Sequence, residues 1–154
     1  MPETKTPTVA AAIAFAAAKH IDQTDRAGQP YILHPLRVMS AMDVDEARRV
    51  AVLHDVVEDC GVTLDDLRAL GYPEPEVMAI DALTKREDEQ DDYPRFIERV
   101  LGNPLAVKVK LADLEDNMDI RRLETLGPKD FERLAKYHAA RRRLLERLAS
   151  TTVG

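Results

Sequence analysis

The amino-acid sequence predicts an all-α protein, a single helical bundle of about eight helices. Three observations carry that expectation. Apolar residues recur at helical spacing through most of the 154 residues. The breaks between these stretches hold prolines suited to helix starts (Pro35, Pro75, Pro94, Pro104, Pro128) and glycines suited to helix ends (Gly61, Gly71, Gly102, Gly127). No alternating run is bounded by hairpin turns. The length is that of one domain, taken as residues 1–154 with a core at about 8–123 and a last helix at about 128–149, and it suffices to bury a core without disulfides.

Taken in order, Thr6-Pro7 opens a first helix running to about His20, and its alanine face allows close packing. This Ala-rich stretch has the look of a signal-peptide core, but Glu3 precedes it and no clear cleavage site follows, so it reads as a buried helix. Ile21 to Leu33, with Gly28 and Pro30, is a loop. Pro35 starts a second helix to about Met42, with His34 at its mouth. Asp43 with Glu46 forms a capping-box pattern and opens one helix from Val44 to Asp59, ended by Gly61. Thr63 with Asp66 repeats that pattern before a short helix closed by Gly71, and Pro75 to about Leu83 is the next. Lys85 to Asp92 is an acidic stretch, read as a solvated linker and the least ordered internal segment, with a lid over a site as the alternative. Tyr93-Pro94 leads into a helix ending at Gly102. Asn103-Pro104 opens another, reaching about Arg122, and Phe131 to Ala149 is a long, basic, amphipathic last helix.

Composition excludes several classes. A 32% charged and 45% hydrophobic chain is that of a soluble globular protein. The net charge of −6 argues against nucleic acid as a partner, which needs a basic footprint, but leaves a small anionic substrate open where a cation sets the local field. No apolar run is long enough for a membrane span. The lone Cys60 fits a reducing, cytoplasmic compartment.

The chemistry concentrates in Leu53-His54-Asp55-Val56-Val57-Glu58-Asp59. A His-Asp pair inside an apolar helix is costly to bury unless something pairs with it or coordinates it. Val50, Leu53, His54 and Val57 fall near one face, so His54 is expected to point inward. A second cluster, Lys110 to Met118, places Lys110, Asp113 and Asn117 on one face of its helix. His34, His54, Asp55 and Asp113 then form a candidate set of two imidazoles and two carboxylates. Such donors suit a divalent ion such as Mn, Fe or Zn and leave positions open for water and substrate.

The order His, His-Asp, distant Asp resembles the HD superfamily of metal-dependent phosphohydrolases. Within it, Gly28-Gln29-Pro30-Tyr31-Ile32-Leu33-His34-Pro35-Leu36, the His54-Asp55 stretch, and Val109-Lys110-Leu111-Ala112-Asp113 with Asn117-Met118 are similar to the hydrolase domain of the RelA/SpoT family. The resemblance implies a (p)ppGpp 3′-pyrophosphohydrolase with Mn²⁺ held by His34, His54, Asp55 and Asp113. It implies that Glu58 and Asp59 position and activate the attacking water, that Asn117 lines the nucleotide pocket, and that Tyr31 sits beside the first His. Arg26, Lys108 and Lys110 are the basic groups that could offset phosphate charge, Lys110 first, with an ion pair to an acidic neighbour as its structural alternative.

The family pattern is broken at Asp25-Arg26, where an Arg-Lys pair is usual, and at Asp119-Ile120, where Arg-Thr usually follows Asn-Met. Asp25 can neither stack on a base nor fork a phosphate. Two alternatives therefore stand beside the alarmone: another nucleotide such as NADPH or a nucleoside phosphate, or a non-catalytic nucleotide-binding regulatory module. The length leaves no room for synthetase or regulatory domains, so a stand-alone domain is expected. His20 is read as capping the first helix, His138 as a surface histidine, and Arg141, Arg142 and Arg143 as a solvated helix end.

Overall fold

The computed structural model describes residues 5–152. Among them the order is α1 (Val9–Lys19), α2 (Leu33–Ser40), α3 (Asp45–Leu53), α4 (Val56–Cys60), α5 (Leu64–Leu70), α6 (Glu74–Ala82), α7 (Tyr93–Val100), α8 (Pro104–Asn117) and α9 (Pro128–Thr152), with 3₁₀ turns at Glu87–Glu89 and Ile120–Arg122. The only extended pairing among the described residues is an isolated bridge between Thr24 and Pro30. The all-α expectation holds.

The bundle is built around α3. Ala47, Val50, Ala51, Val52 and Leu53 are each at most 1% exposed, so the C-terminal half of this helix is wholly buried, while Asp45, Glu46, Arg48 and Arg49 keep its first half at the surface. It packs against α1, α2, α6 and α8. Ala12 and Ala16 of α1 are fully buried, the small side chains the Ala-rich stretch provides for close approach. A fully buried Val or Leu contributes roughly 1.5–3 kcal/mol, so α3 fixes the interior into which its C-terminal end points.

Several elements differ from the sequence expectation. The helix expected from Val44 to Asp59 is broken, which adds a helix: α3 ends at Leu53, His54 caps it, and Asp55 (φ −105, ψ −4) caps α4. On an unbroken helix consecutive side chains diverge by about 100°, whereas the break lets His54 and Asp55 face one point. The Asp43 capping box does not form: Val44 is the N-cap and makes no side-chain cap bond, while Asp45 and Glu46 face the helix dipole in the first turn. α1 starts at Thr8, whose hydroxyl accepts from the Ala11 amide, and not at Thr6. α2 begins at Leu33, which puts His34 inside its first turn. α8 stops at Asn117, and Asp119 caps the following 3₁₀ turn by accepting from the Arg121 amide. The other punctuation forms as read. Thr63 and Asp66 make a capping box, Asn103 caps α8, and Gly61 and Gly71 adopt φ of +71° and +100° at helix ends, a region that a side chain disfavours.

The acidic stretch is bound, contrary to the solvated linker expected. Glu89 is 3% exposed and accepts hydrogen bonds from Arg99 Nε (2.9 Å), Arg99 Nη2 (2.8 Å) and the Arg86 amide (2.7 Å). The same guanidinium donates to the carbonyls of Asp81 (3.2 Å), Ala82 (3.3 Å) and Thr84 (2.6 Å), satisfying the C-terminal end of α6. One Arg thus ties the segment to two helices.

Arg99→Ala is expected to destabilise the fold by about 3 kcal/mol, measured by urea denaturation, because it leaves a buried carboxylate and three carbonyls unpaired. The Arg99 hydrogen bonds hold the Glu89 carboxyl down at about 2. Its contribution is therefore complete above the unfolded value near 4.3 and is lost as pH falls toward the folded value. Stability of Glu89→Gln should fall less steeply than wild type over that acid range; parallel curves would contradict the assignment.

Candidate active site

Three helical elements bring the candidate donors together. α2 supplies His34, the α3–α4 break supplies His54 and Asp55, and α8 supplies Asp113. His34 Nε2 lies 2.8 Å from Asp113 Oδ1 and 4.0 Å from Asp55 Oδ2; His54 Nε2 lies 3.1 Å from Asp55 Oδ2 and 3.5 Å from Asp113 Oδ1. Donor atoms of His34, His54 and Asp113 all fall within 4.8 Å of one another, and all three residues are buried. Asp55 completes the group, its Oδ2 also accepting from the Tyr31 hydroxyl.

The second nitrogen of each imidazole is already engaged. His34 Nδ1 donates to Asp116 Oδ2 at 2.7 Å and His54 Nδ1 donates to the Ala51 carbonyl at 2.5 Å. Each ring therefore turns Nε2 toward the cluster, the orientation a metal-binding histidine needs. His54 Nε2 is buried and makes no hydrogen bond, because Asp55, although close, is not aligned to accept. An orphaned imidazole nitrogen among carboxylate oxygens fits a divalent cation.

The charges fit as well. Burial alone would lower the His54 pKa, but Asp55 and Asp113 beside it raise it well above the usual value; His34 is likewise raised against burial by its bonds to Asp113 and Asp116. Burial pushes Asp113 up, yet Lys110 and the two imidazoles carry it well below the carboxylate range. Asp55 is held at about 2 against burial, chiefly by His54. Protonated imidazoles thus balance the carboxylates, and a divalent ion would take over from those protons.

Glu58 and Asp59 line the same cavity of about 170 Å³ as the cluster, together with Lys85, Tyr93 and Lys110. Burial and then Asp55 raise both carboxyls, which favours their taking up a proton. The Lys85 amide donates to Glu58 Oε1 at 3.2 Å and fixes its position. A second cavity of about 320 Å³ adjoins it, sharing Tyr31, His34, Asn117 and Tyr137, and it adds Arg26, Ile120, Leu123, Arg133 and Leu134.

The remaining sequence-stated residues are placed as follows. Asn117 donates to Asp113 Oδ1 at 3.1 Å, so it positions a cluster carboxylate as well as lining both cavities. Arg26 lines the larger cavity and has no hydrogen bond or ion pair among the described residues. Lys110 is held by Asp113 at 2.9 Å over the Phe96 ring, the structural alternative to a phosphate contact. Lys108 is exposed and lines neither cavity, so its expected phosphate role is not supported. Asp25 faces its own backbone, accepting from the amides of Ala27 and Gln29 at 2.9 Å, and Asp119 pairs with Arg121 and Arg122. His20 caps α1 as expected, its amide donating to the Ala16 carbonyl, and its side chain is 1% exposed, bonded to Gln23 Oε1 at 2.7 Å and packed 4.9 Å from the Tyr31 ring.

Asp116 was missed. It orients His34 and is itself held by Arg37 Nε (2.7 Å) and Nη2 (3.1 Å) and by Arg122. Its spacing of three from Asp113 is the signal that could have found it. Tyr137 and Arg133 of α9 were also missed, since the last helix reads as a generic amphipathic surface.

An all-helical bundle with a buried His/Asp donor cluster is the arrangement that the resemblance to HD-type hydrolase domains implies. The comparisons make the resemblance particular. No protein-family profile matches the chain. A Vibrio cholerae relative named guanosine-3′,5′-bis(diphosphate) 3′-pyrophosphohydrolase is 34% identical over 129 residues, 76% of this chain and 18% of the relative. The Escherichia coli K12 bifunctional (p)ppGpp synthase/hydrolase SpoT is 32% identical over 148 residues, 88% of this chain and 21% of the relative. The chain thus spans about a fifth of the length of these curated relatives. A solved structure described as a metazoan orthologue of SpoT that hydrolyses ppGpp superposes with TM-score 0.74 at 24% identity, over 94% of this chain and 88% of that one, and shares the fold. In sequence and fold the chain matches the RelA/SpoT-type hydrolase domain, as its motifs imply. No helix among the described residues is long and apolar enough to cross a membrane.

Two outcomes test the cluster. Asp116→Ala should weaken Mn²⁺ binding by about 10–100-fold in calorimetry, by freeing the His34 ring; a change under twofold would remove Asp116 from the site. In wild type, Mn²⁺ affinity should rise with pH through the raised His34 and His54 values, with protons released on binding, and a pH-independent affinity would contradict this.

Proposed function

We propose that this chain is a divalent-metal-dependent, cytoplasmic phosphohydrolase that removes the 3′-pyrophosphate of (p)ppGpp, with Mn²⁺ as the ion. The observation that carries the reading is the convergence of His34, His54, Asp55 and Asp113 in the cavity that also holds Glu58 and Asp59. The names of the V. cholerae and E. coli relatives support the substrate.

His34, His54, Asp55 and Asp113 would hold the ion. When bound, it supplies Lewis acidity, making water a nucleophile near neutral pH and offsetting charge on phosphoryl oxygens. Glu58 and Asp59 orient the attacking water and accept its proton, which their raised pKa values favour. Tyr31 fixes the Asp55 carboxylate through its hydroxyl, and Asn117 fixes that of Asp113. The adjoining cavity, with Ile120, Leu123, Leu134 and Tyr137 as apolar wall and Arg26 at its edge, suits a planar base and its ribose phosphates.

One observation favours a second substrate in the same chemistry. Asp25 and Asp119 stand where the family pattern carries arginines, and they are held by their own turn and by two arginines, so the cations usual there are missing, and NADPH or a nucleoside phosphate is the alternative for the same cavities.

The test is phosphate and pyrophosphate release with Mn²⁺ over ppGpp, NADPH and a nucleotide panel. Pyrophosphate from ppGpp should appear and fall at least about 100-fold in His54→Ala, since such an ion is worth several kcal/mol. Phosphate from NADPH alone would select the second reading; binding of Mn²⁺ without turnover of any substrate would contradict both. The acid limb of kcat/KM, where the proton acceptor must be ionised, should shift in Glu58→Gln.

A further inference from the structure

The ring of Tyr93, at the start of α7, is surrounded by ammonium groups. Lys136 Nζ lies 4.8 Å from its centroid, Lys85 Nζ 5.5 Å and Lys110 Nζ 5.8 Å. Lys136 also lies 5.2 Å from the Tyr137 ring. Of the three cations only Lys110 has a carboxylate within ion-pair distance, and that is Asp113; Lys85 and Lys136 have none among the described residues. Lys85 and Lys136 carry like charges with no ion-pair partner of their own, and the aromatic faces offset only part of the cost of their repulsion. Lys136 shows the strain: partial burial and then Lys85, Lys110 and Arg26 lower its pKa. The Tyr93 hydroxyl is buried with no hydrogen-bond partner. Tyr93 and Lys85 line the same cavity as the donor cluster and the Glu58–Asp59 pair, and Lys136 stands over Tyr93 and Tyr137, two of its lining rings.

We infer that Lys136 of α9, with Lys85 and the Tyr93 hydroxyl, forms an anion subsite that takes the pyrophosphate group removed from the nucleotide. The inference rests on the hydrolase reading for what is removed, but the site itself is defined by unmatched cations and an unmatched hydroxyl. An anion of high charge would satisfy all three at once: two ammonium donors, one hydroxyl donor, and relief of the repulsion among the lysines. Lys85 also acts electrostatically on Glu58 and Asp59, so it would join the anion to the proton-accepting pair, while Lys136, on which neither carboxylate is seen to act, supplies further charge.

The test is calorimetric binding of inorganic pyrophosphate to the Mn²⁺-loaded protein, beside GDP and guanosine, for wild type, Lys136→Gln and Lys136→Arg. Lys136 is exposed, and equal melting temperatures establish that the variants fold. Lys136→Gln should raise the pyrophosphate Kd about tenfold, Lys136→Arg should restore most of it, and guanosine should be unaffected. Pyrophosphate bound equally by wild type and Lys136→Gln overturns the inference, as does weakening of GDP alone, which would give the cation to the retained 5′ phosphates. A tenfold loss of pyrophosphate binding in a protein that hydrolyses no nucleotide would leave the subsite standing while the hydrolase reading fails.

Discussion

Two carboxylates, Asp113 buried and Asp55 nearly so, face two buried imidazoles and set the terms for the rest of the structure. Placing Asp55 and Asp113 in an apolar interior costs several kcal/mol for each charge unless cations and hydrogen bonds answer them. The answering groups come from several elements: His34 from α2, His54 from the end of α3 itself, Lys110 and Asn117 from α8, and the Tyr31 hydroxyl from the loop before α2. Asp116, Arg37 and Arg122 form an outer layer that holds the His34 ring. The packing of α3 against its neighbours and the electrostatics of the cluster are thus one constraint: displacing any of these helices leaves a buried charge unanswered. The same balance leaves one nitrogen, His54 Nε2, without a hydrogen-bond partner, the place the proposed ion would occupy.

Much of this was legible because the residues concerned are expensive where they stand. A His-Asp pair between Val52 and Val56, and an Asp between Ala112 and Leu114, must be answered by something, and the sequence contains few candidates. His34, His54 and Asp113 converge as that reasoning requires. Helix ends were legible where backbone conformation demands a residue type, as at Gly61 and Gly71, or where a side chain caps, as at Thr63 and Asn103.

What escaped the sequence depends on partners distant along the chain or on departures from regular geometry. Apolar periodicity continues through His54 and Asp55, so nothing local announces the break that turns both toward one point. Glu89 looks like one more charge in a solvated run until Arg99, ten residues on, folds over it and binds three carbonyls at the end of α6. Asp116 reads as half of a surface ion pair because His34 is 82 residues away. Lys110 was open between a phosphate and Asp113, and the structure gives it to Asp113. The cations of α9 and the acidic stretch meet only in three dimensions, around Tyr93.

The central claim is that this cluster holds a divalent cation. Anomalous diffraction at the manganese absorption edge, from crystals grown with Mn²⁺, tests it without reference to turnover. The account predicts a single strong peak bounded by His34 Nε2, His54 Nε2, Asp55 and Asp113, with Asp116 still bonded to His34 Nδ1. A cluster with no peak, its imidazoles bonded directly to Asp55 and Asp113, would contradict it.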